Sequence, residues 1–397
     1  MKRLLAAIVL ASACTAGPAA SPLSPSSSGS ATVTPSVAAS ASPSASAPAP
    51  SASAGAAPSP TGSPFGGVTA SAPIEGGMWA FASQGGSLLA LWTAEATPIH
   101  LSRIRRADAN GAWTTIFEDD AAFATFRQDL RRAAILEIRE KPQGGGAYDA
   151  TAIVLDLTTR ALVKVDSYSL SSATFRGGGG APRRPIGDII VGGGMVAWTH
   201  LNELAAGQIE GELRVASLGD PTAFTVVGRS REWITPISVD ENALIYLVGA
   251  TDRDDLRARE LATGTERSLV RVQQPTETSG PSNIARSGKF AGWIEMPSPV
   301  DPSNARFRAV DVASGAIREL DLGARYCSTV TANAYGFAWT CGDVKPAPTA
   351  LGYFDPVQWR KVNVTSATDG LLEASIDGFI WTGLVRSERR AVLYAPR

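Results

Sequence analysis

One long stretch of this chain carries no charge. Of its 397 residues, none between Arg3 and Glu75 is Asp, Glu, Lys or Arg. All but two of the 36 basic and 37 acidic residues therefore lie in 75–397, at a density ordinary for a globular domain. Removing Lys2 and Arg3 takes the formal net charge from −1 to −3. With no basic excess to neutralise phosphates, nucleic-acid binding has no electrostatic footprint. Histidine is almost absent: His100 and His200 are the whole supply, which excludes a His-rich metal site. No His-Glu-x-x-His and no Gly-x-Ser-x-Gly elbow occurs. Asp252-Arg253-Asp254-Asp255 lacks the Gly and terminal Glu of a calcium loop. Gly177–Gly180 runs into Ala-Pro-Arg-Arg-Pro, which is no helix start for a phosphate loop. Neither a metal nor a cofactor is expected. Beyond the N-terminus no apolar run approaches the length of a membrane span.

What is present begins with an address. Met1-Lys2-Arg3 is a charged start, Leu4–Leu10 an apolar core, and Ala11-Ser12-Ala13-Cys14 follows, so 1–13 reads as a secretory signal. Ala11-Ser12-Ala13 fits ordinary cleavage and release. Ala-Ser-Ala-Cys also resembles a bacterial lipobox, whose Cys receives a diacylglyceryl group, although Leu10 stands four residues before Cys14 rather than the usual three. The lipoprotein reading is preferred, with Cys14 as acceptor and 14–73, almost all Ser, Ala, Pro, Thr and Gly, as a disordered tether. The domain proper is then 74–397.

Within the domain an apolar strand ending in an aromatic recurs: Leu-Leu-Ala-Leu-Trp92, Met-Val-Ala-Trp198, Ala-Leu-Ile-Tyr246, Phe-Ala-Gly-Trp293, Gly-Phe-Ala-Trp339 and Gly-Phe-Ile-Trp381, with a plainer copy at Leu136. From Trp198 onward the steps are 48, 47, 46 and 42 residues. Each copy is followed by an alternating strand ending in an acidic or polar turn, as at Asp156, Glu260, Asp311 and Asp355, and then by a further strand. Three or four short strands per unit at this period describe a β-propeller blade. Seven units are counted, so the fold class is all-β, a seven-bladed propeller. The last unit is one strand short, and strand 77–83 is expected to join it and close the ring. Phe123–Lys141 also admits a helix, since Phe123, Phe126, Leu130 and Ala134 have near-helical spacing. Cys327 and Cys341 flank a strand, a turn near Ala334 and a strand, which places them opposite one another and predicts a disulfide.

The repeat resembles the TolB-type periplasmic β-propellers over the whole domain. The Ser-Pro-Asp-Gly turn that often opens their blades is absent, so the resemblance implies fold and secretion but no functional residue. Trp198, Trp293, Trp339 and Trp381, and with them Trp79 and Trp92, are read as packing between blades. The loops after the aromatic strands and those between blades share one face of a propeller. Arg183, Arg184, Arg229, Arg231, Glu232, Asp252 and Arg253 lie on the longer ones, around blades 2–4, and form the candidate binding face. The functional expectation is a monomeric binding or assembly platform, tethered by lipid to the outer face of the cytoplasmic membrane, for a protein or envelope ligand. The competing expectation is a glycan hydrolase or lyase with paired carboxylates in the central funnel.

Overall fold

The computed structural model describes residues 65–94, 101–141, 147–171, 175–176, 182–183, 187–204, 208–249, 253–273, 284–295, 303–324, 326–327, 330–342, 350–357, 359–365, 372–385 and 387–396. Among them every regular element is a strand. The strands form seven antiparallel blades in a ring. The chain enters each of the first six blades at its inner strand and leaves at its outer one. The inner strands are Met78–Gln84, Ala122–Gln128, Ile189–Gly192, Ile234–Val239, Ala285–Ser287, Thr331–Asn333 and Leu372–Ser375. In blade 6 the inner edge is divided, because Tyr326–Cys327 also pairs with Gly336–Gly342.

The ring is closed by an N-terminal strand, but not by 77–83. Met78–Gln84 turns through Gly85 and Gly86, at φ of 58° and 76°, and pairs with Ser87–Thr93 as the inner hairpin of blade 1. Two successive residues in the left-handed region are what a tight two-residue hairpin requires. The closing strand is Phe65–Pro73, which pairs with Glu388–Pro396 as the outer strand of blade 7. Residues 65–73, expected to belong to the tether, are therefore part of the ring. The helical alternative for 123–141 is also corrected. Ala122–Gln128 and Arg132–Glu140 are the first two strands of blade 2, and a bulge between Phe123 and Thr125 shifts the alternation. That bulge turns both Phe123 and Phe126 toward blade 1, giving a strand the three-residue spacing of a helix.

The second strand of each blade carries the core. Leu88–Leu91, Ala133–Leu136, Val196–Trp198 and Leu244–Leu247 are almost wholly buried, since both faces of a blade are covered by its neighbours. Trp198, Trp293, Trp339 and Trp381 are all buried between blades as expected. Trp79 is not: it is 41% exposed, with its indole N–H donated to Thr93 Oγ1 at 3.0 Å. The acidic turns act as expected. Asp156 Oδ1 accepts the backbone N–H groups of Thr158 and Thr159 at 2.9 and 2.8 Å, and Asp311 Oδ1 does the same for Ala313 and Ser314. Four residues on from the acid, Gly264 and Gly315 adopt φ of 72° and 75°, and in blade 2 the same place is taken by Arg160 at 62°. Cys327 and Cys341 stand directly opposite across the blade 6 hairpin and are joined as a disulfide.

Candidate binding face and tunnel

Between blades 3 and 4 the outer strand Asp220–Ser230 gives way to the inner strand Ile234–Val239, and Arg229, Arg231 and Glu232 lie at this passage. Arg229 is anchored: Nε and Nη2 meet Glu212 Oε2 at 2.8 and 2.7 Å. Arg231 is exposed, and the Glu232 backbone N–H is donated to Ser230 Oγ at 3.2 Å. Arg253 opens the third strand of blade 4, with its backbone opposite Gln273. The backbone of Pro182–Arg183 pairs with Phe175–Arg176 in a two-residue ladder between blades 2 and 3. Arg184 and Asp252 lie outside the described residues. Of the seven candidates, Arg229, Arg231 and Glu232 thus lie at one passage, the backbone of Arg183 lies on the passage between blades 2 and 3, and that of Arg253 lies at the loop between the second and third strands of blade 4.

Arg229 is the outer end of a longer network absent from the sequence expectations. Glu212 Oε1 accepts from Arg214 Nε at 2.6 Å, and Arg214 Nη1 reaches Asp166 Oδ2 at 3.2 Å. The same oxygen meets Trp198 Nε1 at 2.7 Å and His200 Nδ1 at 2.6 Å. Asp166 belongs to blade 2 and the others to blade 3, so one carboxylate pins the two blades together. Burial alone would raise the pKa of Asp166, but His200, Trp198 and Arg214 together hold it below the usual carboxylate range. His200 is thereby a structural partner of Asp166, packed edge-on against Tyr168. At the junction of blades 1 and 2, Arg139 gathers Asp119, Asp120 and Glu137. Burial, reinforced by Asp119, pushes Glu137 up to about 7.

A second group lies on the inner strands. Arg127 is on the inner strand of blade 2, Asp188 immediately precedes that of blade 3, and Glu373 is on that of blade 7. Arg127 Nη2 approaches Asp188 Oδ2 at 3.5 Å. Burial raises the pKa of Asp188 against the opposing pull of Arg127, the Ile189 N–H and the Thr125 hydroxyl. Burial likewise raises Glu373 to about 7, with Arg127 the opposing charge. The one sequence signal for this group is a charge on an otherwise apolar or neutral inner strand. It becomes readable only once the inner strands are known. Among the described residues no cluster of three or more His, Cys, Asp or Glu side chains could hold a metal ion.

Fold and geometry together define a seven-bladed β-propeller. No protein-family model and no curated protein matches the chain. Solved structures do. The β-propeller domain of the trilobed protease from Pyrococcus furiosus is 10% identical at a TM-score of 0.51, over 80% of this chain and 92% of that one. Oligogalacturonate lyase from Vibrio parahaemolyticus is 9% identical at a TM-score of 0.50, over 82% and 91%. TolB from Acinetobacter baumannii is 11% identical at a TM-score of 0.39, over 78% and 66%. At these identities the likeness is one of fold. The Pyrococcus domain has an open velcro topology, whereas here Phe65–Pro73 fastens the first and last blades together.

Proposed function

We propose that this chain is an extracytoplasmic β-propeller, tethered to the membrane through a lipid on Cys14, that serves as a binding or assembly platform for a protein or cell-envelope ligand. Its most direct support is the passage between blades 3 and 4. There Arg231 is exposed beside Arg229, and Arg229 is itself fixed by Glu212. A charged loop held on rigid blades presents a pre-ordered surface, which lowers the entropic cost of binding. Residues 1–14 supply the address, and the uncharged stretch after them supplies reach. The chain is read as a monomer with no nucleic-acid partner.

A glycan hydrolase or lyase needs an acid and a base free to face the substrate. The raised carboxylates Glu137 and Asp119 are the nearest approach to such a pair, but Arg139 is paired with both of them. The binding reading is therefore preferred.

The test uses the tethered protein in cells. Reversing Arg183, Arg184 and Arg231 to Glu leaves the Arg229–Glu212 anchor untouched. After crosslinking and recovery from the membrane fraction, with Cys14→Ala as the released control, partner capture is expected to fall roughly tenfold or more. Capture of the same envelope proteins at the same yield as the unaltered chain contradicts the assignment.

A further inference from the structure

At the junction of blades 1 and 2 a buried carboxyl stands among charges yet is incompletely paired. Glu137 lies on the second strand of blade 2, and its side chain is only 5% exposed. Ala133 and Ile135 of the same strand pack into the cluster shared with blade 1, so strand alternation turns Glu137 and Arg139 toward blade 1 as well. Among the described residues Glu137 Oε1 is buried with no hydrogen-bond partner. Such a group is costly to hold as an anion and far less so with a proton on it.

The adjoining guanidinium is already committed. Arg139 Nε and Nη2 both reach Asp120 Oδ1, at 3.1 and 2.6 Å, and Nη2 also donates to Asp119 Oδ1. Nη1 stands 3.8 Å from Glu137 Oε2, beyond hydrogen-bond distance. Asp119 ends the outer strand of blade 1, and its Oδ1 accepts the Ala121 N–H at 3.0 Å. Arg139 therefore clamps the passage from blade 1 onto the second strand of blade 2. The other ionisable groups of the strands packed here are engaged elsewhere. Arg127 meets Asp188 at 3.5 Å, Asp149 meets Lys141 at 3.4 Å, Asp156 is paired with Arg131, and Tyr148 packs into the cluster shared with blade 3. Ile189–Gly192 carries no charge, and Glu118 of blade 1 is taken by Arg103. On the strand of Glu137 itself, Arg132 is paired with Asp129, and Glu140 lies on the opposite face.

We propose that this junction is a proton-operated switch, in which Glu137 decides whether Arg139 clamps the passage between blades 1 and 2. With Glu137 protonated, Arg139 holds Asp119 and Asp120, and the passage is fixed. Loss of the proton to solvent leaves a buried negative charge beside Arg139 Nη1. A movement of about 1 Å brings that donor into hydrogen-bond distance. One guanidinium then faces three carboxylates. Asp120, with 76% of its side chain exposed, is the one that water serves best in place of Arg139. It is released first, and the passage loosens. The switch lies wholly within the junction of blades 1 and 2, and stands or falls separately from the binding role of the Arg231 passage.

The switch works near neutrality. Burial, reinforced by Asp119, places Glu137 at about 7, against 4.5 for an ordinary glutamate. Between those values the folded chain keeps a proton that the unfolded chain gives up. Stability contributed by the protonated junction is therefore complete below 4.5 and is lost as the pH rises to about 7 and through it.

The experiment uses the full chain with glutamate labelled at the side-chain carboxyl carbon. The Glu137 resonance is identified by its loss in Glu137→Gln, and its midpoint is expected at about 7. Asp120→Asn, an exposed change that frees Arg139 for Glu137, should lower that midpoint by about half a pH unit or more. Hydrogen exchange of the Ala121 amide, which Asp119 holds, reports the clamp itself. At about pH 6 its rate should be the same in the parent and in Glu137→Gln, whose side chain stays neutral. At about pH 8 the parent should exchange about threefold faster or more than Glu137→Gln. The proposal is overturned by a Glu137 midpoint at the ordinary glutamate value, by a midpoint unmoved in Asp120→Asn, or by equal Ala121 exchange in the two chains at the higher pH.

Discussion

A chain that starts at residue 74 is expected to lose the cooperative unfolding of the ring, whereas one that starts at residue 61 should melt like the full-length protein. Phe65–Pro73 contributes seven register pairs to Glu388–Pro396, from Phe65 opposite Pro396 to Pro73 opposite Arg390. Its side chains and carbonyls add further ties. Arg390 Nε and Nη2 donate to Ser71 Oγ and Ser71 O at 2.8 and 3.0 Å. Thr69 Oγ1 donates to Leu393 O at 3.3 Å. Trp113 of blade 1 donates its indole N–H to Pro73 O at 2.8 Å, so the same strand also grips the next blade. Ala72 is fully buried in the cluster that joins blades 7 and 1. At about 1 kcal/mol per hydrogen bond, the loss is of order 5 kcal/mol, comparable to the whole stability of a typical domain. The outer edge of Glu388–Pro396 would also be left open for intermolecular pairing. Thermal unfolding followed by circular dichroism should show a Tm lower by about 10 °C or more, or aggregation on purification. Identical melting of the 74–397 and 61–397 chains contradicts the closure.

Phe307→Ala should be the most damaging single substitution in the core, at about 3–5 kcal/mol. Phe307 belongs to the third strand of blade 5, is completely buried, and points into blade 6. Its ring centroid lies 5.0 Å from Phe337, 5.3 Å from Trp339 and 5.1 Å from Phe354. The room for it is made by Gly292, where an added Cβ would come within 2.7 Å of the Phe307 ring and 2.8 Å of Phe337. Truncation leaves a cavity lined by rings that are themselves locked between two sheets, so the site cannot collapse. Phe307→Leu should cost about 1–2 kcal/mol, because most of the volume is retained. Denaturant titration measures both, and near-ultraviolet circular dichroism should report loosened aromatic packing in the alanine variant. A midpoint for Phe307→Ala within about 1 kcal/mol of the parent would show that blades 5 and 6 do not depend on this cluster.

How much of this could be read in advance depended on how strongly each segment repeats. The Trp198, Trp293, Trp339 and Trp381 strands advertise themselves because each must fill the same gap between blades. Blade number and the Cys327–Cys341 pairing follow from that regularity. The closing strand was hidden for the opposite reason. Phe65–Pro73 is Phe-Gly-Gly-Val-Thr-Ala-Ser-Ala-Pro, nearly indistinguishable in composition from the uncharged stretch before it. Its strand state comes from pairing with residues more than 300 positions away, which no local pattern encodes. Blade 2 was blurred by one extra residue, since the bulge after Phe123 breaks the period of two. The Asp166 and Asp188 groups were invisible as groups because their members come from different blades. Each member alone looks like an ordinary strand charge, and only the folded ring brings Arg127 of blade 2 to Asp188 at the start of blade 3.

As a binding platform, this ring would present one working face. It is tested most directly by in-cell photo-crosslinking from single positions on opposite faces of the tethered protein. Arg231, exposed at the passage between blades 3 and 4, is one position, and Ala262, exposed on the turn between the outer two strands of blade 4, is the other. A discrete partner adduct is expected from position 231 and none from position 262. Adducts of equal yield from both positions, or adducts from 262 alone, would contradict it.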